Sequence, residues 1–228
     1  MTYGISGNMR KATVFMLIGF MLIGSAMFVG CSHSGDWVSQ LKNAQQGDWA
    51  KYNVTIISTV TVLGNQQKGT GNGTSLVEVV SNDSEKIKLR TTTTTEGQES
   101  VEEKTIDLSK TEEEMFRSLF EEGFQKSVPG DVKMGNLSIE LGKKSNETVT
   151  IADKKYNCTV MPITMSGTIT ANGSEAGKFI ATGKEWRSTT VSAGGIVKTE
   201  MVVEIKMMEI TMTMNMTQTL DSFGKGGR

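Results

Sequence analysis

The sequence predicts a mainly β (α+β) domain, a long-stranded antiparallel sheet carrying one amphipathic helix. Three observations lead there. From Trp49 onward apolar residues recur at every second position, the period of a strand with one buried and one wet face. One segment only, opening at Thr111, changes to helical spacing. The C-terminal stretch from Ile196 to Leu220 alternates again, built largely from Val, Ile and Met.

The elements follow in order. Residues 32–48 form a short polar tether in which Trp37, Val38 and Leu41 suit a turn of docked helix. In the first strand Tyr52, Val54, Ile56, Val60 and Val62 take one side, and Lys51, Asn53, Thr55, Thr59 and Thr61 the other. At 3.3 Å per residue that strand runs to about 45 Å, well beyond the usual length. Gly64 to Gly73, with four glycines, reads as a loose loop. Leu76–Val80 and Lys86–Thr95 read as strands joined by the turn Ser81–Ser84, and Glu96-Gly97 turns the chain into Val101–Leu108.

Thr111 then begins Thr-Glu-Glu-Glu, a capping box with Glu114 three residues on. Met115, Phe116, Leu119, Phe120 and Phe124 follow at helical spacing, and Pro129-Gly130 closes the segment. This helix reads either as a core helix packed on the sheet or as a lid or plug over an apolar cavity. Strands resume at Val132–Leu141, Thr148–Ala152, Tyr156–Met161 and Ile163–Thr170, with Asp153-Lys154-Lys155 and Ala171–Ser174 as connections. Phe179–Ser188 and Ile196–Lys206 flank Ser192-Ala193-Gly194-Gly195, a hairpin turn.

In the C-terminal run Val197, Met201, Val203 and Ile205 occupy odd positions, whereas Met208, Ile210, Met212, Met214, Met216 and Leu220 occupy even ones. The phase flips near Met207, where Lys206-Met207-Met208-Glu209 offers no Gly, Asn, Asp or Pro for a turn. A β-bulge absorbs one residue and flips parity, so this reads as one long bent strand, and a reversing turn at 204–210 is the observation that overturns it. Asp221 to Arg228 reads as a flexible Gly-rich tail.

The N-terminus is an address. Arg10 and Lys11 precede an apolar and small-residue run, Ala12 to Gly30, which ends at Cys31. That order is the layout of a secretory signal, with Met9 an alternative start. The run is also about long enough to cross a bilayer, so an uncleaved signal anchor is the alternative. Phe28-Val29-Gly30-Cys31 resembles the lipobox of bacterial lipoproteins, with Phe28 where leucine is usual. The resemblance implies acylation of Cys31, removal of residues 1–30, and membrane attachment through the acyl chains. Ser32 stands where aspartate is the inner-membrane retention signal of many such proteins, which implies the outer membrane facing the periplasm.

Composition excludes several classes. Without residues 1–30 the chain has 22 basic and 25 acidic residues, a net charge of −3, and no basic patch for nucleic acid. With Cys31 acylated, Cys158 is alone and no internal disulfide can form. Its alternation with Tyr156 and Val160 marks a buried structural thiol. The eight Asn-x-Ser/Thr sequons read as by-products of an Asn- and Thr-rich bacterial chain. His33, the single histidine, lies beside the anchor, and there is no P-loop, GxGxxG or CxxC. The sequence therefore predicts no enzyme and no cofactor. Met212, Met214 and Met216 share one strand face; soft sulfur suits Cu(I), while an adaptable core stripe or an acyl-chain contact is the plainer reading.

Gly183-Lys184-Glu185-Trp186-Arg187-Ser188, followed by Val191 and Gly194-Gly195-Ile196-Val197-Lys198, resembles a segment of secreted bacterial β-rich proteins. These include uncharacterised lipoproteins and proteins of the lipoprotein-carrier fold type. Gly47-Asp48-Trp49 with Tyr52, and Tyr156-Asn157-Cys158, fit the same pattern. The resemblance implies a long-stranded sheet curled round a helix, with lipid or lipoprotein binding in some members. The combined expectation is a signal at 1–30, a lipidated tether at 31–48, one half-barrel domain at 49–220 and a tail at 221–228. A closed barrel and a two-sheet sandwich are the architectural alternatives. The expected function is a lipid-anchored envelope protein binding an apolar ligand or acylated partner through Met115, Phe116, Leu119, Phe120, Met212, Met214 and Met216. A structural or interaction lipoprotein with a filled core is the alternative, and a Met-lined copper carrier the third reading.

Overall fold

A computed structural model describes residues 36–127, 132–207 and 209–226. The elements are α1 (Asp36–Asn43), β1 (Trp49–Val62), β2 (Asn65–Asn82), β3 (Lys86–Thr95), β4 (Gln98–Asp107), α2 (Glu112–Ser127), β5 (Val132–Leu141), β6 (Ser145–Ile151), β7 (Lys154–Ala171), β8 (Ser174–Arg187), β9 (Ile196–Met207) and β10 (Ile210–Gly224). All ten strands form one antiparallel sheet in the order β4-β3-β2-β1-β10-β9-β8-β7-β5, with β6 following β5 along the edge of β7. Two meanders, β1 to β4 and β5 to β10, are thus zipped together by the long β1–β10 pairing. The sheet curls into a half-barrel and does not close, as β4 and β5 remain separate edges.

Helix α2 carries the chain from the β4 edge to the β5 edge and lies inside the curve. Lys104 Nζ on β4 donates to Leu119 O (3.3 Å), and Arg117 Nη1 donates to Leu137 O on β5 (2.6 Å). Between these two fastenings the Phe120 ring packs on Phe179 of β8, with centroids 5.5 Å apart. The capping box forms as the spacing predicts. Glu114 N donates to Thr111 Oγ1 (3.3 Å), and Thr111 N donates back to Glu114 Oε2 (2.9 Å). The bonds that Thr111 N and Thr111 Oγ1 donate to Glu114 Oε2 hold the exposed carboxyl below the usual glutamate range.

Four hairpins turn on residue pairs with positive φ: Leu63-Gly64, Glu96-Gly97, Ala152-Asp153 and Asn172-Gly173. Two left-handed residues match the right-handed strand twist, so the long strands leave each turn in register. Pro162 sits inside β7, where the backbone faces the break between β5 and β6. Its carbonyl accepts from Gly142 N (2.8 Å), and no strand partner is needed for the N–H that proline lacks.

Three expectations are corrected. The glycine stretch 64–73 is not a loop: the turn is Leu63-Gly64, and residues 65–73 pair with β1 from Val62 to Val54. Gly73 is required by a close approach, since a Cβ there would lie 2.5 Å from Thr94 O. The run through Met207 is not one bent strand. β9 and β10 reverse, with Ile210 paired to Met207 and Thr211 to Lys206. A two-residue hairpin pairs odd with even residues on the same face, so folding back flips the parity as a bulge would. The expected tail begins as strand: β10 continues to Gly224, paired with Trp49, and Gly226 N donates to Asp48 Oδ1 (3.3 Å). The tether also folds. α1 makes two turns, buries Leu41, and is capped by Asn82 Nδ2, which donates to Leu41 O (2.7 Å) and Ala44 O (2.8 Å).

Candidate functional site: the concave face of the sheet

The inner face is set by strand parity. Along β10 the inward positions are Met212, Met214, Met216, Gln218 and Leu220, all buried. Met212 pairs with Val60 and Ile205, Met214 with Ser58 and Val203, and Met216 with Ile56 and Met201. The row through Met212 continues by Ile205 to Phe179, the ring on which Phe120 of α2 sits. The two groups of expected ligand residues, Met115, Phe116, Leu119 and Phe120 on the helix and the three methionines on β10, therefore belong to one core. Each of the seven is 1–6% exposed.

This trough suits apolar matter. Alternate residues of a strand stand about 6.8 Å apart, so the three thioethers spread over about 14 Å and line a wall rather than converge on one ion. Cys158 is buried, and burial pushes its thiol up to about 11. Cys31 and the signal run lie outside the described residues.

The far end of the same face is polar. Glu185 and Arg187 on β8 are both buried, and Arg187 Nε donates to Glu185 Oε1 while Nη1 donates to Gly194 O of the 188–195 loop. The segment singled out in the sequence is thus a structural clasp, whose Trp186 Nε1 also donates to Glu147 Oε2 (2.9 Å). Lys198 Nζ lies 4.9 Å over the Trp186 ring. Thr199 of β9 pairs in register with both Glu185 and Gln218, and Tyr52 of β1 stands diagonally from Gln218. Tyr52 Oη, Thr199 Oγ1 and both amide atoms of Gln218 are buried with no hydrogen-bond partner among the described residues. Burial raises the Tyr52 phenol far above its ordinary value, with Arg187 opposing and Glu185 adding to the shift.

Sequence reasoning passed over this cluster, although a signal was present. Gln218 interrupts the even-numbered apolar series of β10, Thr199 the odd-numbered series of β9, and Glu185 and Arg187 take the inward phase of β8. Outside this end, α1, the 188–195 loop and Lys225 enclose an open cleft of about 470 Å³ with a mixed polar and apolar wall, which none of the seven apolar candidates lines.

No protein-family model matches the chain, and neither does any curated protein. Among solved structures, the attachment invasion locus protein Ail of Yersinia pestis is similar at 8% identity over 77% of this chain and 98% of its own, with a TM-score of 0.23. The same protein in complex with the heparin analogue sucrose octasulfate gives 0.25 at the same identity and coverage. A DUF1329 family protein from Desulfovibrio piger gives 0.23 at 7% identity, over 90% of this chain and 93% of its own. Superpositions this loose define no shared site.

Proposed function

We propose that this is a non-enzymatic envelope protein, lipid-anchored through Cys31 at the periplasmic side of the outer membrane, that binds an acyl-type ligand in its concave sheet by exchange for α2. The observation that carries the reading is the position of that helix. It crosses from one sheet edge to the other with its apolar side chains buried in the trough, where an elongated apolar ligand would lie. Withdrawing Met115, Phe116, Leu119, Phe120 and Phe124 from that burial costs about 8–15 kcal/mol at 1.5–3 kcal/mol per side chain. That is as much as a whole domain is normally stable by, so a ligand must cover the same surface. At about 0.8 kcal/mol per methylene, about ten to nineteen methylenes do so, the size of a long acyl chain.

The second reading is a structural or interaction lipoprotein whose trough is permanently filled. Its support is the burial of all seven candidate side chains. Native mass spectrometry of residues 32–228 purified from a bacterial host separates the two. The exchange reading expects an organic-extractable mass of a few hundred daltons, together with faster amide exchange in α2 when the lipid is bound. A clean apo mass, no lipid uptake and an α2 as protected as the sheet establish the filled scaffold. Cys31→Ser abolishes acyl labelling if the anchor is as proposed, and unchanged labelling refutes it.

A further inference from the structure

The buried polar end of the trough gives the ligand a second half. Buried polar atoms in folded proteins almost always find partners, and each exception calls for a reason. Here Tyr52 Oη, Thr199 Oγ1 and the Gln218 Oε1 and Nε2 atoms lack them among the described residues. They belong to neighbouring strands and form one cluster: Thr199 is opposite Gln218, and Tyr52 is diagonal to it. Gln218 is 0% exposed and stands two residues from Met216 on the same face of β10, so the apolar wall runs straight into the polar group. Between Met212 and Gln218 the wall is about 20 Å long.

We infer that Tyr52, Thr199 and Gln218 form a head-group site, at the closed end of the trough, for the uncharged ester or hydroxyl head of an acyl ligand such as a monoacylglycerol. This deepens the acyl-exchange reading and rests on it. The chemistry of the cluster selects the head. Gln218 offers two donors and an acceptor, and the two hydroxyls can each donate or accept, a set that suits adjacent hydroxyl and ester oxygens. Charge is already balanced there, because Glu185 and Arg187 bond to each other. A carboxylate head would bring a net negative charge beside Glu185 into a dry interior, so an ionised fatty acid is disfavoured. The cover is consistent with a closed end. Arg187 ties the 188–195 loop through Gly194 O, and buried Leu41 of α1 packs against that loop, 3.9 Å from where a Gly194 Cβ would stand.

The test is uptake of three radiolabelled probes, 1-monopalmitoylglycerol, palmitate and hexadecane, by the full chain purified from bacterial membranes and held in amphipol. Wild type is expected to bind monopalmitoylglycerol at least tenfold more tightly than palmitate. The double variant Tyr52→Phe/Thr199→Val and the single variant Gln218→Leu each lower that preference three- to tenfold for every hydrogen bond lost, about what a neutral bond contributes. Hexadecane uptake stays unchanged in both. The double variant keeps side-chain shape and removes hydroxyls that have no protein partner among the described residues, so it carries the test if Gln218→Leu does not fold. Equal uptake of the three probes by wild type, or a preference that the double variant leaves undiminished, overturns the head-group site and leaves acyl exchange standing; the cluster then holds water alone. No uptake of any probe overturns acyl exchange itself, and this inference with it.

Discussion

Removing the Phe120 ring probes the filling of the trough most directly. The side chain is buried and stacks at 5.5 Å and 30° on Phe179, between the two fastenings of α2 to the sheet edges. Phe120→Ala therefore removes a transfer contribution and opens a cavity beneath a helix pinned at both sides, a combination that costs about 3–5 kcal/mol. Of this, about 0.5–1.5 kcal/mol belongs to the ring pair and should appear as coupling in a double-mutant cycle with Phe179→Ala. For a domain of this size the loss lowers the melting temperature by roughly 6–20 °C, at 2–4 °C per kcal/mol. Urea unfolding followed by tryptophan fluorescence reads both quantities, and Phe120→Leu supplies a milder variant should the alanine leave too little folded protein. A loss under 1 kcal/mol with no coupling to Phe179 would refute the packed helix and with it the trough described here.

Four further outcomes are expected. Thr111→Ala, which removes the N-cap of α2, costs about 1 kcal/mol by urea unfolding, and a neutral result would show that the cap does not matter to the helix. The Glu114 carboxyl titrates lower in the folded chain than in the unfolded one. Its stabilising effect is therefore complete above the unfolded value of about 4.3 and is lost as pH falls through the lower folded value. The gap in urea midpoint between wild type and Glu114→Gln should be present at pH 7 and vanish by pH 2. Asn82→Ala strips the carbonyl cap from α1; amide exchange across residues 36–44 should speed up while the sheet amides hold, and unchanged exchange would rule out the capping role. Replacing Met208-Glu209 by Asn-Gly should raise the urea midpoint, because Met207 of β9 and Ile210 of β10 pair with each other; a loss of folding would count against that pairing.

Much of the architecture was legible along the chain, and the reason is local. Strand alternation from Trp49, the capping box at Thr111 and the Asn172-Gly173 turn each depend on residues a few positions apart, so each is written in a short window. The errors share a different cause. The stretch from Asn65 to Gly73 is poor in strand-forming residues and is a strand because β1, joined to it by the turn Leu63-Gly64, offers its backbone a partner in register along its whole length. The parity flip at Met207 was correctly seen and wrongly assigned, since a bulge and a two-residue hairpin leave the same mark on a sequence and only pairing tells them apart.

The same division runs through the candidate site. Period and hydropathy determined that Met115, Phe116, Leu119 and Phe120 share a helix face and that Met212, Met214 and Met216 share a strand face. That these faces belong to one core, under a helix strung between the two open edges of the sheet, was decided by the order in which the strands pair. The polar end is a tertiary fact in the same sense. Tyr52, Glu185, Thr199 and Gln218 are spread over most of the chain and become neighbours only through β1, β8, β9 and β10 in register. Local chemistry chooses the elements because a turn or a cap satisfies its own backbone. Long-range hydrogen bonding chooses their neighbours, because a strand cannot pair its backbone within itself and finds its regular partners on another strand.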